Sequence, residues 1–215
     1  MSRGATARLF VAVDPPAPVR EALAAWARRA QSAMRAARGG SGGALRLLDA
    51  DALHLTVCFL GNRPVAEIEL LAEVVAAGAE RACELSVGAP LWLPPRRPRT
   101  LAVEIHDHGG QLAIVGEQLA AALASVGGWE PERRRFRPHV TVARTRGGAG
   151  AGRRARARRP AGGGASAAES PEQQLPATPQ LRFAAGEVVL YRSWLAPEGA
   201  SYEALASGAL DAAAP

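Results

Sequence analysis

The chain contains no lysine, and all 26 of its basic residues are arginines. This absence excludes function classes that depend on a lysine side chain. A phosphate-binding P-loop, a Schiff-base enzyme and a ligase that is adenylated on lysine each need that residue. The net charge of +6 remains, and it suits a polyanionic partner, although a general replacement of lysine by arginine explains the same composition.

Cysteines and long apolar runs are equally scarce. Cys58 and Cys83 lack the spacing of a metal site and are too few for a disulfide framework. No apolar run is long enough to cross a bilayer, and no hydrophobic stretch with a cleavage site opens the chain, so we expect no signal peptide. At 215 residues and 48% hydrophobic, the chain suffices for one domain or two closely packed halves. We expect a cytoplasmic protein.

The sequence does contain a repeated motif. His54 to Val57 and His139 to Val142 both read His-x-Thr-x inside β-prone runs, and they hold two of the four histidines. Side chains on a strand alternate between faces, so the histidine and the threonine of each motif share one face. If the two strands face each other across a cleft, the two imidazoles are suited to acid–base chemistry at a phosphodiester near neutral pH.

The order of strand, helix and strands occurs twice, and each copy ends near one His-x-Thr motif. This order predicts an α+β, duplicated, two-lobed fold in which antiparallel sheets line a central cleft and helices pack outside. Glycine-rich turns are expected at Gly39–Gly43 and Gly127-Gly128, and a further turn at Gly61-Asn62-Arg63-Pro64. The predicted strands are Arg8–Val13, Leu45–Leu48, Leu53–Leu60, Glu84–Leu93, Thr100–His106 and His139–Thr145. Ordered structure is expected to return over Leu181–Leu195, with an edge piece at Ser201–Leu205.

A low-complexity segment follows the second motif. Residues 147–180 are rich in Gly, Ala, Ser and Pro and include the arginine cluster Arg153–Arg159. The segment has too little apolar surface to offset chain entropy, so we expect a mostly disordered insertion within a single domain spanning residues 1–215. The arginine cluster is typical of a solvated tail. It is alternatively a source of salt-dependent, non-specific affinity for nucleic acid.

At its motifs the chain resembles the two-histidine phosphoesterase superfamily, in the branch of RNA 2′,3′-cyclic phosphodiesterases also called bacterial 2′-5′ RNA ligase-like. The resemblance implies a metal-independent hydrolase of phosphoric diesters, with no cofactor. It implies RNA 3′ ends bearing a 2′,3′-cyclic phosphate as the partner, no membrane partner and a monomer. The stretches that carry it are Arg8–Asp14, Leu53–Gly61, Phe136–Arg144, Val189–Ser193 and the region Gly199–Tyr202.

The resemblance also implies a role for each site residue. His54 is the acid that protonates the leaving 3′ oxygen and His139 is the base that deprotonates water, which yields a 2′-phosphate end. The residues themselves do not distinguish these two roles. Thr56 and Thr141 are suited to donate hydrogen bonds to the non-bridging phosphate oxygens. Arg144 closes the second motif and is the best candidate for a further phosphate contact.

Other chemically conspicuous residues have simpler explanations. His106-Asp107-His108 has no further ligand set and is expected in an exposed turn rather than at a metal. Strict alternation puts Cys58 on the face of the first motif's histidine, but packing is its default role. Phe10 and Tyr191 are expected in the core; alternatively Phe10, and Tyr191 with Arg192, contact the terminal nucleotide.

Two other functions stay open at this point. The same chemistry fits a small cyclic nucleotide, an ADP-ribose cyclic phosphate or a 2′-5′-linked oligonucleotide, including reversible ligation when a 5′-hydroxyl replaces water. A non-catalytic RNA-binding module that uses the arginines is the alternative from a different class. The paired motifs favour the enzyme.

Overall fold

The computed structural model describes residues 5–37, 45–79, 81, 83–95, 98–131, 136–145, 175–196 and 199–210. Within these residues the chain forms nine strands and three α-helices. The strands are β1 (Thr6–Val13), β2 (Leu45–Leu47), β3 (Leu55–Pro64), β4 (Cys83–Leu93), β5 (Thr100–His108), β6 (His139–Thr145), β7 (Arg182–Ala185), β8 (Glu187–Ala196) and β9 (Gly199–Ala209). The helices are α1 (Ala17–Ala37), α2 (Ile68–Ala76) and α3 (Gln111–Gly127).

All nine strands form one curled antiparallel sheet. The order is β7-β4-β5-β6-β3-β1-β8-β9, and β2 pairs with the other end of β6. The half that ends in β6 and the half that begins with β3 meet where Leu55 pairs with Val140. We call these halves the β6 lobe and the β3 lobe. The predicted α+β, two-lobed architecture is confirmed, with both lobes in a single continuous sheet.

The helices cover one face of the sheet, and their apolar stripes build the core with it. The apolar residues that recur every three or four positions along α1 are buried there. The opposite face carries the His-x-Thr side chains, and we call it the cleft face. None of the helices in the described ranges combines the length and apolarity needed to cross a membrane. The buried apolar stripe of α1 consists of Val19, Leu23, Trp26, Ala30 and Met34.

The two lobes contain two copies of one unit. In the first copy β1 leads into α1 and pairs with β3, and in the second β5 leads into α3 and pairs with β6. Each helix packs behind the motif strand of the other copy, since α1 contacts β6 and α3 contacts β3. This crossed packing joins the lobes behind the cleft.

The first motif strand has a one-residue bulge directly after Thr56. Ala12 of β1 pairs with Thr56, but the preceding residue Val11 pairs with Cys58, so Val57 is skipped. A bulge interrupts the alternation of side chains. Cys58 therefore lies in the core, where burial raises the pKa of its thiol to about 12. The prediction that Cys58 shares the face of Thr56 is wrong for this reason.

The second motif strand repeats the bulge at the equivalent position. The register between β5 and β6 shifts by one residue after Thr141, so Val142 is skipped. Val142 and Ala143 both lie in the core. Alternation then resumes, and Arg144 returns to the cleft face beside Thr141.

Two stretches differ from their predicted form. The predicted turn at Gly61 to Pro64 continues β3, because the positive φ of 71° at Gly61 accommodates a second register shift against β1.

Residues 175–180, at the end of the segment expected to be disordered, pack against helix α1 and strand β4. The indole N–H of Trp26 donates to the Pro176 carbonyl at 3.0 Å, and the Thr178 hydroxyl donates to the Gly88 carbonyl at 2.7 Å. Residues 147–174 lie outside the described residues.

Candidate active site

The strand pair that joins the two lobes brings both motifs together. Leu55 of β3 and Val140 of β6 pair there, and both side chains are fully buried in the core. The residues that precede and follow each of them therefore point to the cleft. Extending this antiparallel register by one residue in each direction sets His54 opposite Thr141 and Thr56 opposite His139. Each imidazole therefore lies beside the hydroxyl of the other motif, as one compact group at the centre of the sheet.

Both imidazoles are anchored in the same way. Nδ1 of His54 lies 3.0 Å from the carbonyl oxygen of Ala52, and Nδ1 of His139 lies 2.8 Å from that of Arg137. A carbonyl oxygen only accepts, so Nδ1 carries the hydrogen in each ring and donates it. Nε2 is then the nitrogen of each ring that remains for proton transfer.

The electrostatic surroundings of His54 favour its neutral form. Burial lowers the pKa of His54 from 6.5 to about 4. The hydrogen bond to Ala52 opposes this shift, whereas the positive charges of Arg144 and His139 add to it. These charge effects across the lobe boundary show that Arg144 and His139 act on the same small volume as His54.

An aromatic wall from the β3 lobe surrounds His54. The ring centroids of Phe10 and Tyr202 each lie 4.8 Å from that of the imidazole, and Tyr191 follows at 6.2 Å. Phe10 and Tyr191 are direct cross-strand partners and stack at 5.3 Å. Tyr202 was not singled out by the sequence reasoning.

The wall corrects the expected position of two of its rings. Phe10 is buried, as predicted, but its ring packs beside His54 on the cleft face rather than beneath the helices. Tyr191 is only partly buried and lies on the same face. The alternative expectation, in which both rings line the cleft, therefore describes their position.

A partly buried carboxylate supports this wall. The Tyr191 hydroxyl donates to the carboxylate of Asp14 at 2.5 Å, and the Arg20 guanidinium lies 3.8 Å from the same carboxylate. Burial raises the pKa of Asp14, although the hydrogen bond and Arg20 oppose the shift. Asp14 follows the β1 residue that pairs with Leu55, so it lies beside His54 on the neighbouring strand.

The β6 lobe has an equivalent carboxylate. Glu104 of β5 is the direct cross-strand partner of His139. Its carboxylate is 3.3 Å from the guanidinium of Arg137, whose carbonyl anchors the His139 ring. Each histidine thus has an acidic neighbour on the adjacent strand, a symmetry that neither motif reveals by itself.

Two other groups lie away from the site. Arg192 pairs with the core residue Leu9, faces away from Tyr191 and stacks over Trp194 at 3.8 Å, so it does not join the cleft. The His106-Asp107-His108 run was expected in an exposed turn, but it forms the end of β5, because Glu84–Ser86 of β4 pairs with it; both histidines are exposed. Asp107 instead accepts hydrogen bonds from the first turn of α3. The described residues contain no group of three or more His, Cys, Asp or Glu that could hold a metal ion.

Comparison with known proteins finds the same fold. The protein TT0787 of Thermus thermophilus superimposes with a TM-score of 0.66 and 25% identity, covering 96% of this chain and all of that one. Escherichia coli LigT, crystallised with 3′-AMP, gives 0.65 and 23%, covering 96% and 99%. A curated Aeropyrum pernix relative named RNA 2′,3′-cyclic phosphodiesterase is 30% identical over 105 residues. The resemblance to the two-histidine phosphoesterases is confirmed.

The extent of these matches differs. The Aeropyrum pernix alignment covers 48% of this chain and 58% of the relative, so the chain spans less than two thirds of that protein's length. No family model matches the chain. The structural matches cover nearly all of it, so the shared fold extends over both lobes.

The site predicts an unusual titration of His54. In the free protein its ring remains neutral at pH 7 and takes up a proton near pH 4, because burial disfavours the charged form. Long-range ¹H–¹⁵N spectra of the imidazoles between pH 3.5 and 8 measure the midpoint, with the spectrum of His54→Asn identifying the resonance. A midpoint above pH 6 would contradict the burial described above.

The same shift links stability to pH. The unfolded chain protonates this histidine near 6.5 and the folded chain only near 4, so its contribution is complete above 6.5 and is lost as pH falls towards 4. His54→Asn retains a donor for Ala52 but removes the titration. Its free energy of unfolding in urea should therefore fall less steeply across this window than that of the wild type, whereas parallel profiles would argue against the shift.

Proposed function

We propose that the chain hydrolyses RNA 2′,3′-cyclic phosphodiester ends to 2′-phosphomonoesters by metal-independent acid–base catalysis on His54 and His139. The observation that carries the proposal is the meeting of two imidazoles from opposite lobes, each with Nδ1 held by a carbonyl and each beside the other motif's threonine. The names of the relatives support the same reaction class.

The proposed chemistry is an in-line displacement at phosphorus. His139 Nε2 takes a proton from water as the water oxygen bonds to phosphorus. His54 Nε2 gives its proton to the 3′ oxygen as the bond from phosphorus to that oxygen breaks. The two rings end with exchanged protonation states, and proton exchange with solvent restores them. Two bases on opposite sides of one phosphorus satisfy the geometry that this displacement needs.

The remaining residues of the site stabilise charge in this proposal. Thr56 and Thr141 donate hydrogen bonds to the non-bridging oxygens, and such preorganised donors strengthen as charge develops. Arg144 lies on the same face beyond the second bulge and adds a fixed positive charge. The aromatic wall excludes water from one side of His54, which strengthens these electrostatic interactions.

The acid role of His54 requires that substrate binding change its protonation. In the free protein two positive groups and burial hold its pKa at about 4. A bound phosphodiester anion has the opposite sign, so it raises this pKa and draws a proton onto Nε2. Substrate binding and proton uptake are therefore coupled, and the enzyme loads its acid only when phosphate is present.

This coupling is measurable with the product analogue 2′-AMP. At pH 6 the His54 resonance should move from the neutral to the imidazolium position on saturation, and calorimetry in buffers of different ionisation enthalpy should detect proton uptake. The same titration on His54→Asn is the control and should lose that uptake. A His54 ring that stays neutral in the complex would reverse the assignment of acid and base.

Activity itself is tested on an oligonucleotide with a 2′,3′-cyclic phosphate end in excess chelator. The wild type should form the 2′-phosphate product. His54→Ala and His139→Ala should each lose activity by about 10²–10⁴-fold, because each removes a proton-transfer group. Thr56→Val and Thr141→Val should each lose about 10²–10³-fold in kcat.

His108→Ala is the matched control, since it removes an exposed imidazole at the far end of β5, four residues beyond the strand partner of His139, and should retain full activity. Full activity in either cleft-histidine variant would refute the proposal. Tight RNA binding with no product, unaffected by both histidine variants, would favour the RNA-binding module instead. Turnover restored only by added metal would contradict the metal-independent mechanism.

A further inference from the structure

The Tyr191 ring lies along the cleft face instead of standing upright on it. Tyr191 of β8 is the cross-strand partner of Phe10, yet its hydroxyl donates to the carboxylate of Asp14 at 2.5 Å. Asp14 comes four residues after Phe10, just beyond the end of β1. Each residue of a strand adds about 3.3 Å, so the ring has to lean along the strand to make this bond. The hydrogen bond therefore fixes the direction in which the ring lies.

Two small residues beneath this ring are buried although they face the cleft. Ala12 and Val189 pair with each other in the row of the sheet next to Phe10, and they are 0% and 3% exposed. By alternation they share the face of Phe10, so the helices behind the sheet do not cover them. The leaning Tyr191 ring crosses their row and stacks on Phe10 at 5.3 Å. The aromatic wall is thus a closed layer over this part of the cleft face.

Asp14 is itself held in place by the start of α1. The Pro16 carbonyl accepts a hydrogen bond from the backbone N–H of Arg20 at 3.1 Å, and the Arg20 guanidinium lies 3.8 Å from the Asp14 carboxylate. Burial raises the pKa of Asp14, the hydrogen bond from Tyr191 and the charge of Arg20 lower it, and Glu187 of β8 raises it. Helix α1 therefore positions the acceptor that the Tyr191 hydroxyl needs.

Asp14 acts on His54 through the wall. Burial is the largest cause of the lowered pKa of His54, ahead of the charges of Arg144 and His139 from the β6 lobe. The rings of the aromatic wall pack around the His54 imidazole and supply that burial on the side of the β3 lobe. Whatever holds the wall closed therefore controls how much water reaches the imidazole.

We propose that Asp14 is a positioning residue for the reaction, and that by holding the Tyr191 hydroxyl it keeps the aromatic wall closed over His54. The inference rests on the proposed function and adds a residue that acts on the catalytic acid without touching the substrate. A closed wall keeps the imidazole neutral until a phosphate binds, and it holds Nε2 in line with the leaving oxygen.

Titration of His54 in three variants tests this role without any substrate. Asp14→Ala removes the acceptor, and Tyr191→Phe removes the donor but keeps the ring. Each should raise the His54 midpoint from about 4 by about one unit or more, a tenfold gain in proton affinity, because water enters when the wall opens. Asp14→Asn keeps a side-chain carbonyl that accepts from the Tyr191 hydroxyl, so it should leave the midpoint close to the wild-type value.

Kinetics on the oligonucleotide with a cyclic phosphate end test whether the two residues act as one unit. Asp14→Ala and Tyr191→Phe should each lower kcat about tenfold or more, because a tilted imidazole is out of line with the leaving oxygen. The double variant should lose no more than the larger of the two single losses. Asp51→Ala is the matched control, since it removes an exposed carboxylate 3.7 Å from the same Arg20 and should change neither the midpoint nor kcat.

The outcomes separate the positioning role from the reaction. A His54 midpoint that is unchanged in Asp14→Ala and in Tyr191→Phe would overturn the role, even if kcat falls. Additive losses in the double variant would also overturn it, because the two residues would then act independently. A wild type that hydrolyses nothing would refute the proposed function, whereas the titrations would still decide whether Asp14 holds the wall over His54.

Circular dichroism and thermal unfolding establish that each variant is folded before it is compared. Tyr191→Phe removes a single oxygen atom, so it and Asp14→Asn carry the test if Asp14→Ala does not fold.

Discussion

The arrangement of the whole site depends on one cross-strand residue pair, Leu55 of β3 with Val140 of β6. It joins the β6 lobe to the β3 lobe at the centre of the sheet, in front of the helices that pack behind it. Both side chains are fully buried, and each contributes on the order of 1.5–3 kcal/mol by leaving water. A slip of one residue would turn both His-x-Thr faces into the core. Hydrophobic burial on one side of the sheet therefore fixes the chemistry on the other.

Duplication gives the site two similar groups, and their surroundings make them different. Both histidines follow a carbonyl that holds Nδ1, both motifs end in a bulge, and both rings have a carboxylate on the next strand. His54 is enclosed by three aromatic rings, whereas the hydrogen bond that anchors His139 lies at an exposed position. In the proposed mechanism the acid role of His54 arises only once the substrate phosphate is bound, because the negative charge of the phosphate opposes the effect of burial on that ring.

The sequence predicted what depends on local pattern and missed what depends on pairing. The bounds of β6 and the faces of the two motifs follow from alternation, and the structure agrees with them. Cys58 was misplaced because a bulge forms between strands and leaves no signature within one of them. The burial of Phe10 was predicted but its face was not, because an aromatic in a β-prone run is equally compatible with either face.

The most direct test of the central claim is a crystal structure with a nucleoside 2′,3′-cyclic vanadate, which mimics the pentacoordinate phosphorus. We expect one vanadium between the two rings, with Nε2 of His54 and Nε2 of His139 each at about 2.6–3.2 Å from opposite apical oxygens. The hydroxyls of Thr56 and Thr141 should meet the equatorial oxygens. Vanadate contacting a single histidine, or bound outside the cleft, would contradict catalysis by two histidines at one phosphorus.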